Sequence, residues 1–187
     1  HDAHALGDAE RGPLALLGLE ARETGALLEE VDERPVQVTQ RLLVLAPPSP
    51  KAAVILFAGG HGGLQIAADG SFGWGKGNFL MRSRQLFVDQ GLLTVVIDAP
   101  SDRQSPPFLA GFRQGAEHAA DMQAVIAWVR QHSGLPVWLV GTSRGTQSIA
   151  AVATRLSRVD RPDGLVVTAT ILPDPKAPPV TAMTLER

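Results

Sequence analysis

Short, continuous apolar runs alternate along most of this chain with segments whose apolar residues recur every three or four positions. Ala52–Phe57, Leu92–Ile97, Leu135–Val140 and Gly164–Leu172 are runs of the first kind, rich in Val, Ile and Leu and bounded by Gly, Pro or Asp, which predicts buried strands. Between them, Phe79–Val88 predicts a helix stopped by Gly91. Gln114–His132 predicts a longer helix with a core face of Met122, Val125, Ile126 and Val129 and a C-cap at Gly134. Ile149, Val152, Ala153 and Leu156, spaced i, i+3, i+4, i+7, predict one more. Buried strands separated by helices imply an α/β fold with a mostly parallel sheet covered on both faces.

The N-terminal part differs. Residues 1–35 hold one amphipathic piece, Leu14 to Leu28, followed by the acidic run Glu29-Glu30-Val31-Asp32-Glu33, and are expected to form an arm on the edge of a core spanning 36–187. Val36 to Val44 alternates before turning fully apolar, as an edge hairpin or long edge strand would. The opening His1-Asp2-Ala3-His4 fits a tag remnant or a processed terminus, and the second of these points to a periplasmic or secreted protein.

Bulk properties narrow the function classes. A chain of 187 residues suits one core, and a net charge of −2 gives no electrostatic reason to expect nucleic acid or an anionic membrane as partner. No apolar run approaches the roughly 20 residues that span a bilayer. With no cysteine there is no disulfide, thiolate metal site or cysteine nucleophile, and neither metal-ligand spacing nor a cofactor motif is present. Gly70 to Gly77 superficially matches a phosphate loop, but Gly77 stands where Ser or Thr would be needed and no strand leads into Gly70. This segment is expected to be either a flap carrying Phe72 and Trp74 over a site or a structural loop.

The chemistry concentrates at Gly141-Thr142-Ser143-Arg144-Gly145, a G-x-S-x-G pentapeptide with a predicted strand before it and a predicted helix after it. A serine on such a turn has an exposed hydroxyl, and the N–H groups that follow sit at a helix N-terminus, where they can stabilise an oxyanion. Serine needs a base to take its proton, commonly histidine. The chain's histidines are His1, His4, His61, His118 and His132, and none follows Ser143.

The glycine loop Ala58-Gly59-Gly60-His61-Gly62-Gly63 after its strand, Asp98-Ala99-Pro100 after the next, and the elbow at Ser143 together resemble an α/β-hydrolase of the bacterial dienelactone-hydrolase-like or carboxylesterase-like kind, over residues 36–172. The resemblance implies a serine hydrolase acting on a small-molecule ester, with Ser143 as nucleophile and the backbone N–H groups of Gly60 or His61 and of Arg144 as oxyanion donors. It also implies two further strands, bearing the acid and the histidine, for which the sequence has no counterpart. Two expectations follow: a C-terminal fragment or second chain completes the sheet, or the chain is a non-catalytic binding protein of this fold. Of the remaining candidates, His61 reads as backbone donor or pocket wall, and His118 and His132 as exposed helix-end residues. Asp98 and Asp102 would shape the pocket or cap a helix, and Asp174 is a solvated loop aspartate or the triad acid.

Overall fold

The computed structural model describes residues 26–34, 38–175 and 178–182. Its centre is a six-stranded sheet in the order β1-β2-β4-β3-β5-β6. β1 (Ala26–Arg34) and β2 (Val38–Leu45) pair antiparallel, and β2 runs antiparallel to β4 (Leu92–Ile97). β4, β3 (Ala52–Phe57), β5 (Val137–Thr142) and β6 (Gly164–Thr168) are parallel. The segment Val36 to Val44, expected as an edge hairpin or a long edge strand, supplies from Val38 the single strand β2, which is flanked by β1 and β4 and so is not the edge. Ala26–Arg34, counted from sequence as part of an arm, is the outermost strand, and the rest of the amphipathic piece from Leu14 lies outside the described residues.

The strand period divides the core. Ile55, Phe57, Val95, Leu139 and their neighbours pack under α2 (Ala116–Ser133) and α3 (Gly145–Arg155). Val54, Leu56, Val96 and Val140 face α1 (Phe79–Asp89) with Leu80 and Met81. The expected strand and helix faces hold: Met122, Val125, Ile126 and Val129 are buried, and Gly134 caps α2 in the left-handed conformation (φ 67°).

Three expectations need correction. The last strand ends at Thr168, not Leu172: Ala169 turns the chain out at φ 45°, level with the end of β5 where strand pairing stops. His118 is buried rather than exposed, because the face of α2 that carries it meets the rings of Phe57 (6.5 Å) and Phe112 (5.5 Å). Of the two readings of the glycine-rich segment, the structural loop holds, in the form of a small hairpin. Ile66 and Phe72 bridge, Trp74 N–H donates to Leu64 O (3.1 Å), and Phe72 is buried in the core. His132, also expected to be exposed, is half-buried, because its ring stacks on Trp128 with centroids 4.4 Å apart.

β6 pairs only with β5 among the described residues. Leu165, Val166 and Val167 are partly exposed there, and Val166 joins Phe79, Phe87 and Trp138 in lining an apolar groove of about 470 Å³ beside α1. No helix among the described residues is long and apolar enough to cross a membrane.

Candidate active site

The site arises from the parallel register of β3 and β5, which pairs Phe57 with Gly141. The glycine loop leaving β3 therefore lies against the turn leaving β5. Ser143 occupies that turn in the left-handed region (φ 53°), a conformation that costs an L-residue roughly 1–2 kcal/mol. It is held from both sides. Ser143 N–H donates to Thr168 O (3.0 Å), and Ser143 O accepts from Thr146 N–H (3.0 Å) and Thr146 Oγ1 (2.6 Å).

Two glycines make the approach possible. A Cβ on Gly145 would run into the carbonyl of Phe57, so only glycine lets α3 start this close to β3. A Cβ on Gly59 would sit 3.0 Å from Ser143 Cβ and 3.2 Å from Thr142 O, so the loop touches the elbow directly. Asn78 Nδ2 lies 3.6 Å from that same point, while Asn78 Oδ1 caps α1 by accepting from Leu80 N–H (3.2 Å). Sequence reasoning passed over Asn78; an Asn directly before a helix of apolar period was the available signal.

Gly59 thus lies against Ser143, with Gly60 and His61 following it in the loop and Arg144 following Ser143 in the elbow. The backbone N–H groups of Gly60, His61 and Arg144 are spent on no loop or turn hydrogen bond among the described residues. The His61 ring is half-buried between Trp74 (centroids 3.8 Å) and Phe108 (4.3 Å, near-parallel). Its Nδ1 accepts from Gly63 N–H (3.1 Å), so in the neutral ring the proton sits on Nε2. Burial, and secondarily the charge of Arg113, hold the imidazole below its usual pKa. In this tautomer Nε2 donates and cannot take a proton from Ser143.

Asp98 is buried, and its carboxylate binds four backbone N–H groups: Leu64 (2.7 Å), Gln65 (3.0 Å), Ile66 (2.8 Å) and Ala99 (2.7 Å). It shapes the site by fixing the chain beyond the glycine loop. Asp102 is at the surface, 3.7 Å from Arg103. Of the two readings of Asp174, solvated loop aspartate or triad acid, the first does not hold: its side chain is only 6% exposed, 3.5 Å from Arg144 Nε and accepting from Gln147 Nε2 (2.9 Å). It binds the start of α3. Among the described residues no group of three His, Asp or Glu side chains could hold a metal ion.

Arg113 is the feature composition concealed. It is 3% exposed, donates through Nη1 to Ser148 Oγ (2.9 Å) and through Nη2 to Ala58 O (3.0 Å) and Gly60 O (3.4 Å), and burial pushes its pKa down to about 10.

No family model matches the chain, and no curated protein matches it. Solved structures do. DcsB in complex with its substrate analogue aligns with a TM-score of 0.57 at 20% identity, over 79% of this chain and 46% of that one. XC6422 of Xanthomonas campestris, an α/β serine hydrolase without a lid, aligns at 0.52 and 22% identity, over 86% and 70%. Thermogutta terrifontis esterase 2, in its form phosphorylated by paraoxon, aligns at 0.53 and 16% identity, over 82% and 61%. The chain spans less than two thirds of the length of DcsB and of the Thermogutta esterase. Strand order, crossovers and these likenesses together identify this chain as one with the α/β-hydrolase fold.

Proposed function

We propose that this chain carries the nucleophile and oxyanion hole of a serine hydrolase acting on an ester or related acyl bond. The observation that supports this best is the meeting of Ser143, held at φ 53° on the elbow, with a glycine loop whose Gly60 and His61 N–H groups, like that of Arg144, are unspent among the described residues. Ser143 Oγ attacks the carbonyl carbon as a base takes its proton, which is later passed to the leaving group, and the C=O electron pair moves onto oxygen, where the N–H groups receive it. Collapse expels the alkoxide, which takes up a proton, and leaves an acyl-enzyme. Water then adds to the acyl carbon, and the acid and free Ser143 are released.

The base that activates Ser143 comes from polypeptide that adds to the edge of β6 that pairs with no described strand. Right-handed crossovers support this reading. Onward connection from β6 crosses the α3 face and covers Leu165 and Val167, while the groove by Phe79, Trp138 and Val166 takes a helix on the α1 face.

An esterase neighbour is phosphorylated by paraoxon, so the same reagent serves as a test here. Incubation followed by intact-mass and peptide analysis should show one diethylphosphoryl group on Ser143 with release of 4-nitrophenolate, and none on Ser143→Ala. Ester hydrolysis surviving in Ser143→Ala above about a hundredth of wild type would refute the assignment, since loss of a nucleophilic serine costs about 10⁶-fold. A second reading, a ligand-binding protein of this fold, is favoured by the His61 tautomer, which keeps that imidazole from serving as the base for Ser143. Failure of wild type to react at Ser143 would select it.

A further inference from the structure

We propose that Arg113 is a positioning residue that locks the two halves of the oxyanion hole together. The inference rests on the reading of Ser143 as nucleophile, and it starts from a cost. Among the described residues, this guanidinium, 3% exposed, donates to neutral acceptors: one hydroxyl and two carbonyls. Removing a charge from water costs several kcal/mol even when it is hydrogen-bonded, so general stability does not account for this residue.

Its contacts do. Ser148, fully buried in the first turn of α3, belongs to the half of the site that carries Arg144 N–H. Ala58 O and Gly60 O belong to the half that carries Gly60 and His61 N–H. The planar fork spans both halves, which a point-like ammonium does not do. In a trans peptide the N–H points opposite to the C=O. Drawing Ala58 O and Gly60 O onto the guanidinium therefore turns Gly59 and His61 N–H away from it. The Gly59–Gly60 peptide, which bears Gly60 N–H, is bracketed between those two fixed planes. The same segment completes the backing: Leu109 N–H donates to His61 O (3.0 Å), and Phe108 stacks on the His61 ring. A charge on the carbonyl side also polarises these peptides and strengthens their N–H groups as donors.

The test uses the whole chain with Arg113→Met, Arg113→Lys and Ser148→Ala, each first shown folded by circular dichroism. Two readouts are taken: amide hydrogen exchange in the peptide covering 58–63, and the paraoxon reaction at Ser143 resolved into a limiting rate and a half-saturating concentration. In Arg113→Met, exchange in 58–63 should accelerate at least tenfold. The limiting rate should fall at least tenfold, as for a misaimed oxyanion donor, with half-saturation moving less than about twofold. Arg113→Lys should recover only part of the rate, and Ser148→Ala should show a smaller loss of the same kind, which keeps the test open if Arg113→Met does not fold. Unchanged loop exchange with an unchanged limiting rate would overturn the proposal, as would a rate loss confined to half-saturation. Should wild type not react at Ser143 while loop exchange still rises in the variants, the nucleophile reading fails and the lock on the loop stands.

Discussion

Asp98→Asn isolates the carboxylate that anchors the chain beyond the glycine loop. The change is nearly isosteric, so its effect comes from hydrogen-bond chemistry. Oδ1 accepts from Leu64, Gln65 and Ala99 N–H, and Oδ2 accepts from Ile66 N–H at 2.8 Å. The asparagine carbonyl can keep the three bonds at Oδ1, but as neutral bonds of about half the strength, a loss of roughly 0.5 kcal/mol each. The amide group must then face Ile66 N–H, donor against donor, in a buried site. A bond to a charged acceptor is lost there and a buried donor is stranded, at about 2 kcal/mol. The expected total is about 3–4 kcal/mol, which for a chain of this size lowers Tm by roughly 10 °C. Urea denaturation would measure it as a shift in midpoint at constant slope. Asp102→Asn, at an exposed pair, is the control and should change stability by less than about 0.5 kcal/mol. The effect should also reach the site, because Leu64 O and Gln65 O hold Trp74 and Gly73 N–H, and Trp74 stacks on His61. A loss below about 1 kcal/mol would show that these bonds do not carry the loop.

Ser143→Gly should abolish paraoxon labelling yet stabilise the fold by about 0.5–1 kcal/mol, because glycine accepts φ 53° without a Cβ penalty; a lower denaturation midpoint would contradict the strain argument. The His61 imidazole has a folded pKa depressed below 6.5, so between that lower value and 6.5 the unfolded chain binds more protons. Its contribution is full above pH 6.5 and lost as pH falls through the folded value. Stability measured from pH 7 to 5 should therefore decline less steeply in His61→Gln than in wild type. Val167→Lys puts a charge on the half-exposed edge strand and should reduce self-association in light scattering without lowering Tm by more than about 2 °C.

What the chain discloses by itself is what its local patterns determine. Ala52–Phe57 and Leu92–Ile97 are strands with the bounds expected, because each is an apolar run with clear punctuation. The elbow was equally legible: Gly145 is needed where α3 starts against Phe57. β1 was not legible, because its place depends on backbone pairing with β2 rather than on clean alternation of its own side chains. His118 and Asp174 were misjudged for a related reason. Both are polar residues near element ends, and what buries them comes from elsewhere in the chain: Phe57 for one, Arg144 and Gln147 for the other. Arg113 is the extreme case. Its acceptors are 35, 53 and 55 positions away, and an arginine in a stretch without periodicity looks like surface until the sheet assembles.

One terminal strand of the sheet also restrains the proposed nucleophile. Ser143 N–H donates to Thr168 O, the last position of β6, so the strained elbow borrows its restraint from a strand paired on one side only among the described residues. A strand with one partner opens more readily than one flanked on both sides. When Thr168 withdraws, Ser143 loses one of the bonds that offset its left-handed backbone. The other side of the turn does not share this weakness, since Thr146 and Ser148 are fully buried and Arg113 bonds Ser148. Whatever covers β6 therefore stiffens the serine itself as well as the sheet edge. Of the two halves of the site, the loop is held by groups already buried in the fold, and the elbow waits on the edge.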